Sequence, residues 1–386
     1  MSAFQPARRL RGIEKSAIRQ FFDLAPPGSI NLGLGEPDLP TPHVIRDAAV
    51  RAIQGEQNGY TAHAGLALLR ERVAAGYPAT RGDADRVIIT AGSQEALYLA
   101  LTTLVDEGDE VLLPDPGFVA YPAITRMAGG RPVFYRLPAA RDFGFDVDDF
   151  RKRLSPRTKV VVCISPSNPT GQALGEGDLR AMADVLAGTG ALVVSDEIYR
   201  ELYFGSVRPP SIADYYPQTV TVSGLSKSMS MTGWRLGWLA GPSDVVRSAL
   251  VLHGYVTTCA SAIAQKAALA AWTEEAEAAR ADVRRIFRGR RDHVLGLIGR
   301  TLGRRAVPPD GAFYTMVDIA SYGPSQRVAE TLLEHGVITV PGATFGSEGE
   351  GFLRVSFCAE ETALTEGVRR IAEALATLKP RQEQPV

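Results

Sequence analysis

From about residue 85 the chain alternates between short runs of β-branched and other apolar residues and longer stretches with a helical period. The runs DRVIIT, DEVLLP, RPVFYRL, TKVVVCIS, ALVVSDE, QTVTVSG and WRLGWLAG predict strands. Segments between them, such as SQEALYLALTTLVDEG and EGDLRAMADVLAG, predict helices. A strand that is apolar at consecutive positions must be covered on both faces, as in parallel sheets flanked by helices. The expected fold class is α/β, with a mostly parallel central sheet sandwiched by helices and a smaller α+β domain.

Residues 260–300 are Ala- and Arg-rich and helical in period, which suits a connector out of the sheet. The stretch RRIFRGRR within it (284–291) reads as one solvated helix face. After it come GAFYTMVDI, SQRVAETLLEHG, VITVPG, GFLRVSF and TALTEGVRRIAEALATL, a strand and helix order that suggests the smaller lobe. The expected division is an N-terminal segment (1–44) joining the small domain or a partner subunit, a large domain (45–275) and a small C-terminal domain (276–386). The tail KPRQEQPV is expected to be disordered from about 379 to 386.

Composition narrows the function. The chain has 386 residues, 45% hydrophobic and 22% charged, with a net charge of −1. That balance suits a soluble globular protein and gives no electrostatic case for nucleic acid or membrane partners. No apolar run approaches the roughly 20 residues of a membrane span, and the N-terminus does not read as a signal peptide. Cys163, Cys259 and Cys358 are far apart and form no metal or redox motif, so a reducing cytoplasm is the expected compartment. The five histidines show no metal-ligand spacing, so no metal is expected.

An open α/β sheet places its chemistry at the carboxyl ends of its strands. In ITAGSQEALYLAL, Gly92 allows a tight turn and Ser93 suits an N-cap, leaving the amides of Gly92, Ser93 and Gln94 aimed at one spot that favours phosphate. Alone, this is also an ordinary capped helix. In SPSNPTG, Asn168 would project from the sheet edge, and alone it is an ordinary turn. Asp196 follows an apolar strand directly, with Tyr199 three residues on. It is either a local cap or a carboxylate beneath a heteroaromatic nitrogen. Lys227 and Arg235 lie in SGLSKSMSMTGWRLGW, a crowded stretch rich in small residues. A drier site activates a lysine as an amine nucleophile, and the guanidinium fork suits an anion. Together these groups match the aldehyde, phosphate, ring nitrogen and ring hydroxyl of pyridoxal 5'-phosphate.

The chain resembles the class I and II aminotransferases of the aspartate aminotransferase superfamily, the fold type I pyridoxal-phosphate enzymes. The markers are NLGLGEPDLPTP, GYTAHAGLALLRERVA, TAGSQEALYLAL, PDPGFVAYP, SPSNPTG, VSDEIYREL, SGLSKSMSMTGWRLGW and FLRVSF. The resemblance implies that Lys227 binds the cofactor aldehyde covalently and that Asp196 pairs with the ring nitrogen. Tyr199 and Asn168 would bond the ring oxygen, and Phe118 would stack on the ring. Gly92, Ser93, Gln94, Ser226 and Arg235 would hold the phosphate. Gly35, Asn168 and Arg354 would receive the substrate α-carboxylate, where Arg354 alone reads as a strand-edge surface charge. Tyr60 would reach the phosphate of a neighbouring subunit, implying a homodimer.

The implied activity is ping-pong amino transfer between an L-amino acid and a 2-oxo acid, with glutamate and 2-oxoglutarate as one pair. Gln94 stands where some relatives carry a lysine for a distal carboxylate, so aspartate, aromatic and broad specificity all stay open. A C–S β-lyase of the same fold is the alternative enzyme. A regulatory aminotransferase-like module lacks support, since no helix-turn-helix segment or basic stripe is present.

Overall fold

A computed structural model describes residues 5, 7–55 and 58–378. The expected tail, 379–386, lies outside the described residues. The strands in chain order are β1 (Ile30–Asn31), β2 (Val87–Thr90), β3 (Glu110–Asp115), β4 (Arg131–Arg136), β5 (Thr158–Ile164), β6 (Leu192–Asp196), β7 (Thr219–Gly224), β8 (Gly237–Ala240), β9 (Tyr314–Asp318), β10 (Val337–Ile338), β11 (Val340–Pro341) and β12 (Phe352–Ser356). The seven apolar runs of the sequence are the seven strands β2 to β8, which form one sheet in the order β2-β8-β7-β6-β5-β3-β4.

The pairs β3–β4, β3–β5, β5–β6 and β6–β7 are parallel. Strand β8 runs antiparallel to both β7 and β2. Its direction follows from its connection. Residues 225–236 contain one short 3-10 turn, Thr232–Trp234, and no crossover helix of the kind that links parallel strands. Lys227 and Arg235 both sit on this connection. Val160, Val161, Val162, Val193, Val194, Val220 and Val222 are fully buried. Each contributes about 2 kcal/mol by leaving water, so the middle of the sheet is rigid and its polar residues gather at strand ends.

The C-terminal part builds a second, antiparallel sheet in the order β11-β12-β9. Strand β1 pairs in parallel with β10, which ties the N-terminal segment to this lobe. The helix Glu274–Leu297 runs between the two sheets in sequence and buries Val283, Phe287 and Val294. Here the structure corrects the sequence reading of 284–291. Arg285 is exposed, but Arg290 falls on the inward stripe with Phe287 and is only 6% exposed. A buried guanidinium needs an anion, and Arg290 binds both carboxylate oxygens of Asp38 at 2.6 and 2.9 Å.

Asp38→Ala would leave Arg290 buried and unpaired. Urea unfolding should show a loss of about 2 kcal/mol; an unchanged midpoint would mean that the pair contributes nothing.

Candidate active site

A cavity of about 610 Å³ opens at the carboxyl edge of the large sheet. Strand ends supply its chemistry: Ser93 and Gln94 after β2, Phe118 after β3, Asn168 after β5, Asp196 at the end of β6, and Ser226, Lys227 and Arg235 after β7. Gly35 from the N-terminal segment and Arg354 from β12 close the other side.

Lys227 Nζ donates to the Gly35 carbonyl at 2.7 Å and lies 5.9 Å from the centre of the Phe313 ring. Among the described residues no carboxylate forms an ion pair with it. Burial pulls its pKa down; Cys358 and Glu36 oppose that shift, and the charges of Arg235 and Arg354 add to it. The free amine, the form that attacks carbonyls, is favoured accordingly.

Asp196 is 2% exposed. Its Oδ2 accepts the Tyr121 hydroxyl at 2.9 Å and its Oδ1 the Ile198 N–H at 3.2 Å. Burial raises its pKa from 3.8 to about 6 despite those hydrogen bonds. The helix N-cap considered for Asp196 is not found, since no helix directly follows β6; the Ile198 contact closes a turn, and the side chain lines the cavity. Tyr199 is buried and its hydroxyl meets that of Tyr314 at 2.9 Å. Burial pushes the Tyr199 pKa well up, keeping the phenol protonated.

Arg354 is not a surface charge. It occupies the central strand of its sheet and is 1% exposed. Nη1 donates to Asn168 Oδ1 at 2.7 Å and Nη2 to the Gly33 carbonyl. The guanidinium carbon stacks 4.2 Å from the Tyr314 ring centre and 4.8 Å from that of Phe345. Its buried Nε has no partner, and among the described residues no carboxylate neutralises it. A cation held by neutral groups in a dry site is completed by an anionic ligand.

The phosphate end departs from expectation in one detail. Gly92, not Ser93, is the N-cap; Ser93 is the first residue of the helix Ser93–Leu104. Gly92 has φ +87°, and a Cβ there would lie 2.5 Å from Arg235 Nη2. That contact lets the guanidinium rest against the helix start, where Nη1 also donates to the Thr232 carbonyl at 2.9 Å. Gly35 is constrained too, since a Cβ would fall 1.6 Å from the Tyr314 hydroxyl. Tyr60 is the predicted site residue that the structure does not bring in: it is 88% exposed and outside the cavity of its own chain.

Several contributors escaped the sequence reading. Tyr121 and Tyr314 hold Asp196 and Tyr199 from distant parts of the chain. Ile13, Ile18 and Phe22 wall the cavity from the N-terminal segment. Tyr121 lies in the marker PDPGFVAYP and was visible there; the others carry no local signal.

The residues fit pyridoxal phosphate on grounds of donor chemistry. An amine with no acidic partner suits an aldehyde, and a buried carboxylate of raised pKa suits a protonated ring nitrogen. A helix start beside a guanidinium suits a phosphate. The orphaned Arg354 Nε suits a carboxylate.

Comparison with known proteins agrees. Residues 27–371 match the family model for aminotransferase class I and II. A Bacillus subtilis protein described as a probable N-acetyl-LL-diaminopimelate aminotransferase is 39% identical, with 97% of this chain and 96% of that protein aligned. Aromatic-amino-acid aminotransferase 2 of Thermococcus litoralis is 35% identical over 96% of this chain and 98% of its own. The structure of Thermus thermophilus aspartate aminotransferase with maleate has a TM-score of 0.90 at 33% identity, covering 96% of this chain and 100% of that one. These likenesses favour amino transfer over C–S β-elimination. The chain belongs to the class I and II aminotransferases, pyridoxal 5'-phosphate-dependent enzymes of fold type I that move amino groups between amino acids and 2-oxo acids.

Proposed function

We propose that amino transfer takes place in this cavity, with Lys227, Asp196 and Tyr199 as its catalytic residues. The observation that carries the reading is a lysine without an acidic partner in one cavity with a buried carboxylate and a buried, unneutralised guanidinium. The bound cofactor supplies an electron sink for the carbanion at the substrate α-carbon. Lys227 would hold it through Nζ, and that amine, once free, would take the α-proton. Proton transfer of this kind is worth about 10²- to 10⁴-fold in rate.

Asp196 holds the proton on the ring nitrogen. Keeping the carboxyl neutral up to about pH 6 instead of 3.8 corresponds to about 3 kcal/mol against ionisation. A cation in contact is worth about 4 kcal/mol at an effective dielectric near 20, enough to restore the carboxylate. Tyr121 keeps Asp196 oriented. Tyr199 and Asn168 serve the ring oxygen, Phe118 its face, and Gly92, Ser93, Gln94, Ser226 and Arg235 the phosphate. Arg354 and Asn168 receive the substrate α-carboxylate, beside Gly35.

Glutamate and 2-oxoglutarate form one substrate pair in this reading. The other amino acid is aspartate, an aromatic amino acid or one of a broad range. Relatives named for aspartate, aromatic and N-acetyl-LL-diaminopimelate substrates support that breadth. The enzyme works as a homodimer: Val50, Ile53, Leu68, Val251, Tyr255 and Tyr60 are exposed large side chains, and Tyr60 serves the partner's site. The three free cysteines suit a reducing cytoplasm. The division at residues 44 and 275 belongs to the same reading.

Mixing the holoenzyme with a panel of amino acids and following the cofactor's absorbance tests the assignment directly. Lys227→Ala should abolish turnover and remove the borohydride-trappable adduct; normal turnover would end the assignment. Arg354→Lys should raise KM at least tenfold for every substrate, because an ammonium lacks the bidentate fork. An unchanged KM would remove Arg354 from the site. Asp196→Asn separates stability from function. The raised folded-state pKa gives a stabilising contribution present below 3.8 and lost as pH rises through about 6. Cofactor-free Asp196→Asn should therefore melt higher than cofactor-free wild type at pH 8, with the gap shrinking at pH 5, while cofactor affinity falls. A lower melting temperature at pH 8 would contradict the burial cost.

A further inference from the structure

Glu95 is acidic, sits directly after the phosphate-end residues Ser93 and Gln94, and has no part in the chemistry above. Its side chain is 8% exposed. It turns back on its own helix start, where Oε2 accepts the Ala91 N–H. Oε1 faces His253 Nδ1 at 3.0 Å and accepts the Thr257 hydroxyl. His253 lies in the helix Ser243–Val256, and Thr257 directly follows it. The His253 ring is fully buried and its Nε2 has no partner, so among the described residues Glu95 is the ring's one side-chain hydrogen-bond partner. Burial opposes ionisation of Glu95, but the bonds from His253, Thr257 and Ala91 outweigh it and hold the carboxyl below its ordinary range.

A carboxylate one residue from an anion site repels the anion unless it does something else. Here it ties the turn at Ala91 to the end of the neighbouring helix, where His253 and Thr257 lie one turn apart. Backbone amides bind phosphate only while their turn keeps them convergent. We propose that Glu95, braced by His253 and Thr257, is a positioning residue that fixes the 91–94 turn for the cofactor phosphate. This rests on the reading that the phosphate lies at Ser93, Gln94 and Arg235.

The test compares dissociation constants of pyridoxal phosphate and of pyridoxal, which lacks the phosphate, for the cofactor-free protein. In Glu95→Gln the charge is removed and only one oxygen is left to accept from Ala91 or from His253 and Thr257, so the charge-assisted brace is weakened with little change of shape. The constant for pyridoxal phosphate should rise at least tenfold and that for pyridoxal by less than twofold. Thr257→Val removes one hydroxyl and should raise the first constant about threefold, again sparing pyridoxal; it decides the matter if Glu95→Gln does not fold. Equal losses for both ligands, or no loss for pyridoxal phosphate, overturn the proposal. Arg235→Ala is the control for the underlying reading. If it weakens pyridoxal phosphate selectively and the Glu95 and Thr257 variants do not, only the brace is wrong. If it too has no selective effect, the phosphate site itself is misplaced and the brace falls with it.

Discussion

Burial of strands β5, β6 and β7 on both faces is the constraint from which the rest follows. Their valines are fully buried, and apart from Asp196 the one charged residue within these strands, Lys159, sits exposed near the start of β5. The polar groups that the enzyme needs are pushed to the carboxyl ends, where parallel strands all finish on the same edge. Asn168, Asp196 and Lys227 thus arrive side by side from three separate parts of the chain. Asp196 is itself in the ladder, paired with Ile164 and Val222, while Asn168 and Lys227 lie four and three residues beyond the last residues of β5 and β7.

The cavity is electrostatically one-sided. Lys227, Arg235 and Arg354 face a single buried carboxylate, Asp196, and among the described residues none of the three cations has an acidic side chain as its hydrogen-bond acceptor. Such an arrangement is costly in an empty protein and favourable once anions fill it. Neutral acceptors and aromatic faces carry the cations meanwhile: the carbonyls of Gly33, Gly35 and Thr232, and the rings of Tyr314 and Phe345. In the proposed reading, phosphate and carboxylate would gain their binding energy from charges already in place, with Asp196 left to select a protonated ring.

Much of this was legible in the order of residues. The seven sheet strands stood out because fully covered strands are apolar without interruption. Lys227, Asp196 and Asn168 stood out because each directly follows such a run. What was not legible depends on long-range packing. FLRVSF by itself does not say whether Arg354 faces water, since that turns on β12 lying between β9 and β11. Arg290 looked solvated amid other arginines until Asp38, far away in sequence, proved to be its partner. The Ser93 cap was misjudged because Gly92 took the left-handed φ that the turn needs. Tyr314 and the wall from Ile13 to Phe22 meet the site only through the pairing of β1 with β10 and the second sheet.

The antiparallel return of β8 has one more consequence. Lys227 and Arg235 sit on the same connection, whose ends are pinned where Gly224 pairs with Gly237. The span between the amine and the guanidinium is thus set by one short stretch of backbone. Lengthening or shortening that stretch would shift the two groups relative to each other and to the sheet edge.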